Sequence, residues 1–406
     1  MTTASPPRSI LQSWLAVASV AVGTFAMVTT EFLPVGLLTD IASNLGISDG
    51  TAGLMVTTPG LVGAIGSPIL IVAAGRLDRR TALWALTIML IASNAIAALA
   101  PNFPVLLLGR MLLGLCVGGF WTLASALGRR LVPEESGGRA TAVISAGVSV
   151  GTVCGVPAAN FIGNLAGWRV AFAATAVLAG LVLIAQLLLL PKLPTKQAIG
   201  ARELFALWRV PAARVGLLSV SLVAAGQFAA YTYLKPFLEQ VTKMGTDAIT
   251  GVLLAYGLAG FIGTFLAEWG AARNLKATYV ATALLLSIVM LLAPVLGAGK
   301  ASATVLAMVW GLAFGSIPVS VQIWMYQSAP EQFEGGSAWL VSTFQISIAL
   351  GSFGGGVAVD RVGVWGAMVM GGILSLGAAF IIAALGRARS AAPLDAAPAV
   401  TPELVE

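Results

Sequence analysis

Twelve runs of roughly 20 or more apolar residues follow one another along this chain, and little lies between them. They occupy residues 12–38, 53–74, 81–100, 103–127, 141–161, 170–190, 215–234, 249–267, 278–296, 303–325, 338–359 and 364–385. A bilayer core about 30 Å thick takes about 20 helical residues to cross. In lipid every backbone N–H and C=O must be bonded within the segment, so the runs are expected to be helices. The period-2 alternation of barrel strands is absent. The predicted fold class is an all-α membrane protein of twelve transmembrane helices. Composition agrees: 58% of residues are hydrophobic and 9% charged, against about 25% charged in a soluble domain, and the mean hydropathy is +0.95.

The basic residues set the expected topology. An even number of spans returns both termini to one side. The loops and tails of that side carry sixteen Lys and Arg, among them Arg76, Arg79, Arg80, Arg129, Arg130 and Arg139. The opposite loops carry five: Arg169, Lys235, Lys243, Lys300 and Arg361. Arg110, within a span, completes the total of 22. The positive-inside rule then places both termini in the cytoplasm. The same placement reads the net charge of +6 as topology, and no nucleic-acid partner is expected. The expected division is a tail (1–11), a six-helix bundle (12–190), a polar loop (191–213), a second bundle (214–386) and a disordered tail rich in Ala and Pro (387–406). The first run is too long for a signal-peptide core and is expected to be retained.

With no histidine in the chain, imidazole metal sites and His proton relays are excluded. A carried proton would ride on carboxylates or water. Cys116 and Cys154 both sit in apolar runs and read as small apolar filler. Neither metal nor cofactor is expected. The sequence has no Gly-x-x-x-x-Gly-Lys-Ser/Thr loop for ATP, so uphill transport would draw on an ion gradient. An intramembrane enzyme would need a catalytic constellation that the spans lack, and a receptor would usually carry an output domain.

The two halves resemble each other. The segment from Val22 to Thr29 lies against Ala225 to Thr232 with Gly, Phe, Ala and Thr coincident. Gly114 and Gly118 match Gly311 and Gly315, and Pro133-Glu134 with Gly137-Gly138 match Pro330-Glu331 with Gly335-Gly336. A duplicated six-span unit runs parallel to its copy, and such halves rock about a midplane site.

The loop Gly75-Arg-Leu-Asp78-Arg79-Arg80 resembles, in shortened form, the signature loop of the major facilitator superfamily. Arg110-Met-Leu-Leu-Gly114-Leu-Cys-Val-Gly118 resembles its span 4 motif. Gly147, Gly151, Gly155 and Pro157 resemble its antiporter motif, with Val156 parting the usual Gly-Pro pair. Thr30-Glu31-Phe-Leu-Pro34, Gly119-Phe-Trp121, Leu131-Val-Pro133 and Ala225-Gly-Gln-Phe228 look most like the drug:proton antiporter family, which includes purine ribonucleoside efflux pumps and sugar or arabinose efflux permeases. The resemblance implies two parallel six-helix bundles and a proton-coupled exporter of a small organic molecule, such as a purine ribonucleoside, a sugar or a drug. An uncoupled facilitator or importer is the alternative, and an intramembrane enzyme a remote one. It implies a monomer in a bacterial inner membrane whose partners are its substrate, protons and lipid. For Asp78, Arg79 and Arg80 it implies a cytoplasmic latch between spans.

Two charges inside the spans stand out. Glu31 is an acid among apolar residues, and such groups are by default functional. Its other reading is a structural carboxylate near a break at Pro34. Arg110 is basic and sits at the same depth, each being seven residues from the outer end of its span. The two are expected to meet, either as a proton-coupling pair or as a fixed ion pair. Polar and aromatic residues suited to stacking and amide hydrogen bonds form the candidate binding surface: Thr30, Phe120, Trp121, Gln227, Tyr231, Tyr233, Trp310, Trp324, Phe344 and Gln345. Each aromatic alone reads equally as packing. The span 5 glycines read as a close helix contact or a bend.

Overall fold

The computed structural model describes residues 9–73, 77–194, 210–328 and 333–386. Regular structure among them is helical. The first half holds α1 (Ile10–Leu45), the short α2 (Asp49–Ala52), α3 (Leu54–Ala73), α4 (Arg79–Leu99), α5 (Phe103–Leu131), α6 (Gly137–Ala166) and α7 (Trp168–Leu189). The second holds α8 (Pro211–Tyr231), the short α9 (Leu234–Gln240), α10 (Thr246–Leu296), α11 (Lys300–Ser328), α12 (Phe333–Val362) and α13 (Val364–Leu385).

Ten stretches are long and apolar enough to cross a membrane. One of them, α10, has 51 residues and breaks at Asn274 (φ −155°, ψ 95°), so it contains the eighth and ninth predicted spans. The Asn274 side chain caps the second segment by accepting from the Ala277 N–H at 3.0 Å. The 20-residue α3 holds the second span. All twelve predicted runs are therefore helical. Residues 195–209 of the predicted central loop, the tail from 387 and Gly75 lie outside the described residues.

Helix ends differ from the apolar runs. Helix α1 continues seven residues beyond residue 38 and stops where Gly46 turns left-handed (φ 64°), a conformation glycine adopts without strain. Hydropathy reports where lipid ends, and hydrogen bonding carries the helix further. Pro34 lies inside α1 and does not end it.

Packing repeats between the halves. Helix α1 lies against α6 and α7 as α8 lies against α12 and α13. Helix α3 packs on α5 as α10 packs on α11. The glycines explain the closest contacts. A Cβ on Gly147 would strike the Ala21 carbonyl, and one on Gly151 would lie 3.0 Å from Val28 Cβ and 3.1 Å from the Phe25 carbonyl. In the second half Gly351 and Gly355 press on the carbonyls of Ala225 and Ala229 in the same way. Close approach of backbones is what small residues permit between helices in lipid. The chain forms two parallel six-helix bundles. They meet along α3 with α12 and α6 with α10, pairs that exchange under the repeat.

Candidate functional site

Proline chemistry accounts for the buried arginine. Pro34 has no N–H, so the helical partner of the Thr30 carbonyl is missing; Pro59 does the same to the carbonyl of Met55. Arg110, fully buried on α5, supplies both. Its Nε donates to Met55 O at 2.8 Å and one terminal nitrogen donates to Thr30 O at 2.8 Å. The other terminal nitrogen donates to the main-chain O of Glu31 at 2.9 Å. The planar fork of the guanidinium suits this three-way bond. The expected ion pair is thereby corrected. Glu31 and Arg110 are neighbours, but Arg110 holds the backbone of residue 31 and not its carboxylate. Ion pairs between described residues are those of Lys235 with Asp40 and Glu239.

Glu31 itself faces a cavity of about 340 Å³ between the halves, lined by α1, α5 and α6 on one side and α8, α10, α11 and α12 on the other. It is 6% exposed. Its Oε1 accepts from Gln345 Nε2 of α12 at 3.2 Å, its Oε2 lacks a hydrogen bond of ordinary geometry, and the Trp121 indole stands beside the carboxylate. Among the described lining residues Glu31 carries the one formal charge. Around it stands an aromatic wall. Phe32 and Phe228 stack across the halves at 5.6 Å and 14°. Phe314 and Phe344 meet Phe228 edge-on at 6.0 and 6.2 Å. Trp121 and Tyr256 complete the lining beside them. Stacked and edge-on rings of this kind accept a planar guest.

The predicted binding residues divide. Trp121, Phe344 and Gln345 line the cavity. Thr30 does not: its hydroxyl donates to the Ala26 carbonyl and accepts from Asn94. Phe120 is buried in the first-half core. Gln227 is fully engaged, donating to Tyr256 OH at 2.7 Å and accepting from Trp310 Nε1 at 2.7 Å. It thereby also accounts for Trp310. Tyr231 stacks on Tyr256 at 4.9 Å behind the wall. Tyr233 donates to the Ser352 carbonyl at 2.9 Å, away from the cavity. Trp324 donates to the Ala212 carbonyl beneath α8. Sequence reasoning missed Phe32, Phe228, Phe314 and Tyr256 as wall residues. The stretches Glu31-Phe32 and Gln227-Phe228 held the signal, but phenylalanines in apolar runs read equally as lipid-facing.

With an even number of spans between Ile10 and Leu385, the described chain begins and ends at one end of the bundle, and the cavity extends toward that end, to Thr264, Gln322 and Leu340. The far end is closed by contacts between halves. The buried Lys235 donates to the Gly36 carbonyl at 2.9 Å and to Asp40 at 2.6 Å. Asp360 accepts from Ser48 and from the Gly50 N–H, Gln240 donates to Asp49, and Asn160 donates to Thr250. At the terminal end, Asp78 caps α4 by accepting from the Arg80 N–H and also accepts from the Leu193 N–H at 3.0 Å. The N–H of Arg79 donates to Leu193 O and the guanidinium of Arg80 to Leu190 O. The loop is thus tied to the chain leaving α7. In α6, Gly147, Gly151 and Gly155 form the seam with α1, and Pro157 lies within the helix.

Residues 20–352 match the family model of the Major Facilitator Superfamily. The purine ribonucleoside efflux pump NepI of Salmonella enteritidis is 36% identical over 372 residues, covering 92% of this chain and 94% of that one. The transcription regulatory protein OpdE of Pseudomonas aeruginosa is 40% identical over 389 residues, covering 94% and 95%. Among solved structures, a D-xylose–proton symporter superposes with a TM-score of 0.74 at 18% identity, covering 94% of this chain and 99% of that one. An inward-facing bacterial homologue of the lysosomal transporter Spinster gives 0.71 at 17%, covering 93% and 96%. With this match and this fold, the chain belongs to the major facilitator superfamily and is a membrane transporter.

Proposed function

We propose that this protein exports purine ribonucleosides, or planar molecules like them, in exchange for protons. The observation that carries this is Glu31: a buried carboxylate with one oxygen lacking an ordinary hydrogen bond, at the aromatic head of a cavity between two rocking halves. A base stacked among Phe32, Phe228, Phe314 and Phe344 would present an N–H donor to Glu31 Oε2, with Trp121 and Gln345 flanking it. A carboxylate in lipid holds either a proton or a donor, so the substrate and the proton would displace each other at one oxygen. The similarity to the purine ribonucleoside efflux pump of Salmonella supports the substrate class. The similarity to the transcription regulatory protein of Pseudomonas does not displace this reading, because a cavity between paired bundles serves transport.

The 16-to-5 bias of basic residues supports cytoplasmic termini in the inner membrane. The cavity is then open to the cytoplasm, as an exporter awaiting cargo would be, and the Lys235–Asp40 end is the periplasmic gate. The protein works as a monomer, since the site lies within one chain. Rocking would break the far-end contacts and close the terminal end, with the Asp78-Arg79-Arg80 loop holding the first bundle together. The test is uptake of radiolabelled inosine and guanosine into everted vesicles under an imposed pH gradient, acid inside. Accumulation that collapses with the gradient supports the proposal. Equilibration without accumulation, or no uptake of either nucleoside, overturns it.

A further inference from the structure

The hydrogen bond between Glu31 and Gln345 has a placement that the other contacts between the halves lack. Among the described residues, the remaining side-chain hydrogen bonds joining the halves lie at the far end, at Lys235, Asp360, Gln240, Asn160, Tyr233 and Ser352. The Gln345 bond alone lies at the cavity head, from α12 of one half to α1 of the other. Both ends of it are held firmly. On the α1 side, Arg110 grips the main chain of residues 30 and 31. On the α12 side, the helix lies flush on α3: a Cβ on Gly60 would stand 2.7 Å from the Gln345 carbonyl, and one on Gly63 3.3 Å from its Nε2. The amide is therefore threaded between α1 and α3 with little freedom to swing away.

We infer that Gln345 is a positioning residue that makes the relative placement of the two halves depend on the charge of Glu31. An amide N–H bonds an ionised carboxylate about twice as strongly as a neutral one. With Glu31 ionised, the bond holds α12 to α1 and supports the state in which the far end is shut. Once Glu31 takes a proton, or a substrate N–H in its place, that support weakens and the halves are freer to rock. Other charged or titratable groups near Glu31 have commitments of their own. Arg110 is on three carbonyls, the Cys116 thiol is on the Leu86 carbonyl, and the Tyr256 hydroxyl is held by Gln227. Gln345 is thus the group through which the charge reaches the second half.

This inference rests on the proposed proton coupling at Glu31, and the experiment separates the two. Uphill accumulation and nucleoside exchange are measured in vesicles for the parent, Glu31→Gln, Gln345→Leu and the double variant. Gln345→Asn serves as a second, conservative change that keeps an amide too short to reach. Loss of the charge-assisted bond should lower the ratio of accumulation to exchange on the order of tenfold in both Gln345 variants, whatever their effect on exchange itself. The double variant should be no worse in this ratio than Glu31→Gln, since no charge remains to be sensed. If Glu31→Gln loses coupling while Gln345→Leu and Gln345→Asn keep it, or if the two losses simply multiply, the role of Gln345 is overturned and the coupling at Glu31 stands. If Glu31→Gln retains coupling, both fall.

Discussion

Replacing Arg110 by Leu should destabilise the protein for a reason that two prolines determine. In the parent, the Thr30 and Met55 carbonyls lack helical donors because residues 34 and 59 are proline, and Arg110 bonds both at 2.8 Å. With Arg110→Leu both are left buried and unbonded, at about 1–3 kcal/mol each. The same change also removes a buried guanidinium, which offsets part of the loss. A thermodynamic cycle cancels that part. In a Pro34→Ala background residue 34 regains its N–H, and Thr30 O regains a helical partner. Arg110→Leu should then cost about 1–3 kcal/mol less than it does in the parent, and Pro59→Ala should relieve Met55 O by a similar amount. The assay is unfolding of the purified protein in detergent for the single, double and triple variants. Equal cost of Arg110→Leu in all backgrounds would refute the argument, and would return Arg110 to the role of a counter-charge for Glu31.

Gly151→Leu should force α6 from α1, because a Cβ there already stands 3.0 Å from Val28 Cβ, costing about 1–3 kcal/mol by melting; Gly138→Leu, with open space around it, should be close to neutral. Lys235→Met removes the charged bonds to Gly36 O and Asp40 at the far end, the latter to a partner 37% exposed, so far-end opening seen by spin-label distances should rise on the order of tenfold. An unchanged distance distribution would show that the ion pair does not hold the gate. Burial at that end raises the Asp49 carboxyl above its ordinary range, an effect Gln240 reduces and the Asp360 charge adds to. Protonation of Asp49 therefore favours the closed far end over a solvated open one, and closure should weaken as pH rises through the raised value. Asp49→Asn should flatten that part of the pH dependence in the same distance measurement; an unaltered slope would assign it to another group.

Much of the architecture was legible because lipid imposes it: apolar runs became helices, and the span 5 glycines marked the seam of α6 with α1, whereas their counterparts Gly351 and Gly355 went unread. Glu31 was legible because an acid among apolar residues has few explanations. Its partner was misjudged, since equal depth says nothing of which atoms meet. The prolines four residues beyond Thr30 and Met55 could have named the carbonyls that Arg110 serves, but only once α1, α3 and α5 were known to be neighbours. Gln227 and Trp310 illustrate the other limit. Both are polar-tipped and lie near the cavity, yet they satisfy each other and Tyr256. In an apolar span a residue's type does not reveal the face it occupies. Phe32, Phe228 and Phe314 of the wall went unrecognised for the same reason, whereas Phe344 was named.

If substrate and proton compete for Glu31, binding of one must release the other, and proton counting reads that exchange. Purified protein in weakly buffered detergent solution is saturated with inosine, and the protons released per nucleoside bound are read from a pH indicator across a range of pH. Release should approach one proton per nucleoside where Glu31 is protonated in the empty protein, and Glu31→Gln should release none at saturation. Equal release from both proteins would contradict it, and would place the coupling carboxylate elsewhere in the chain.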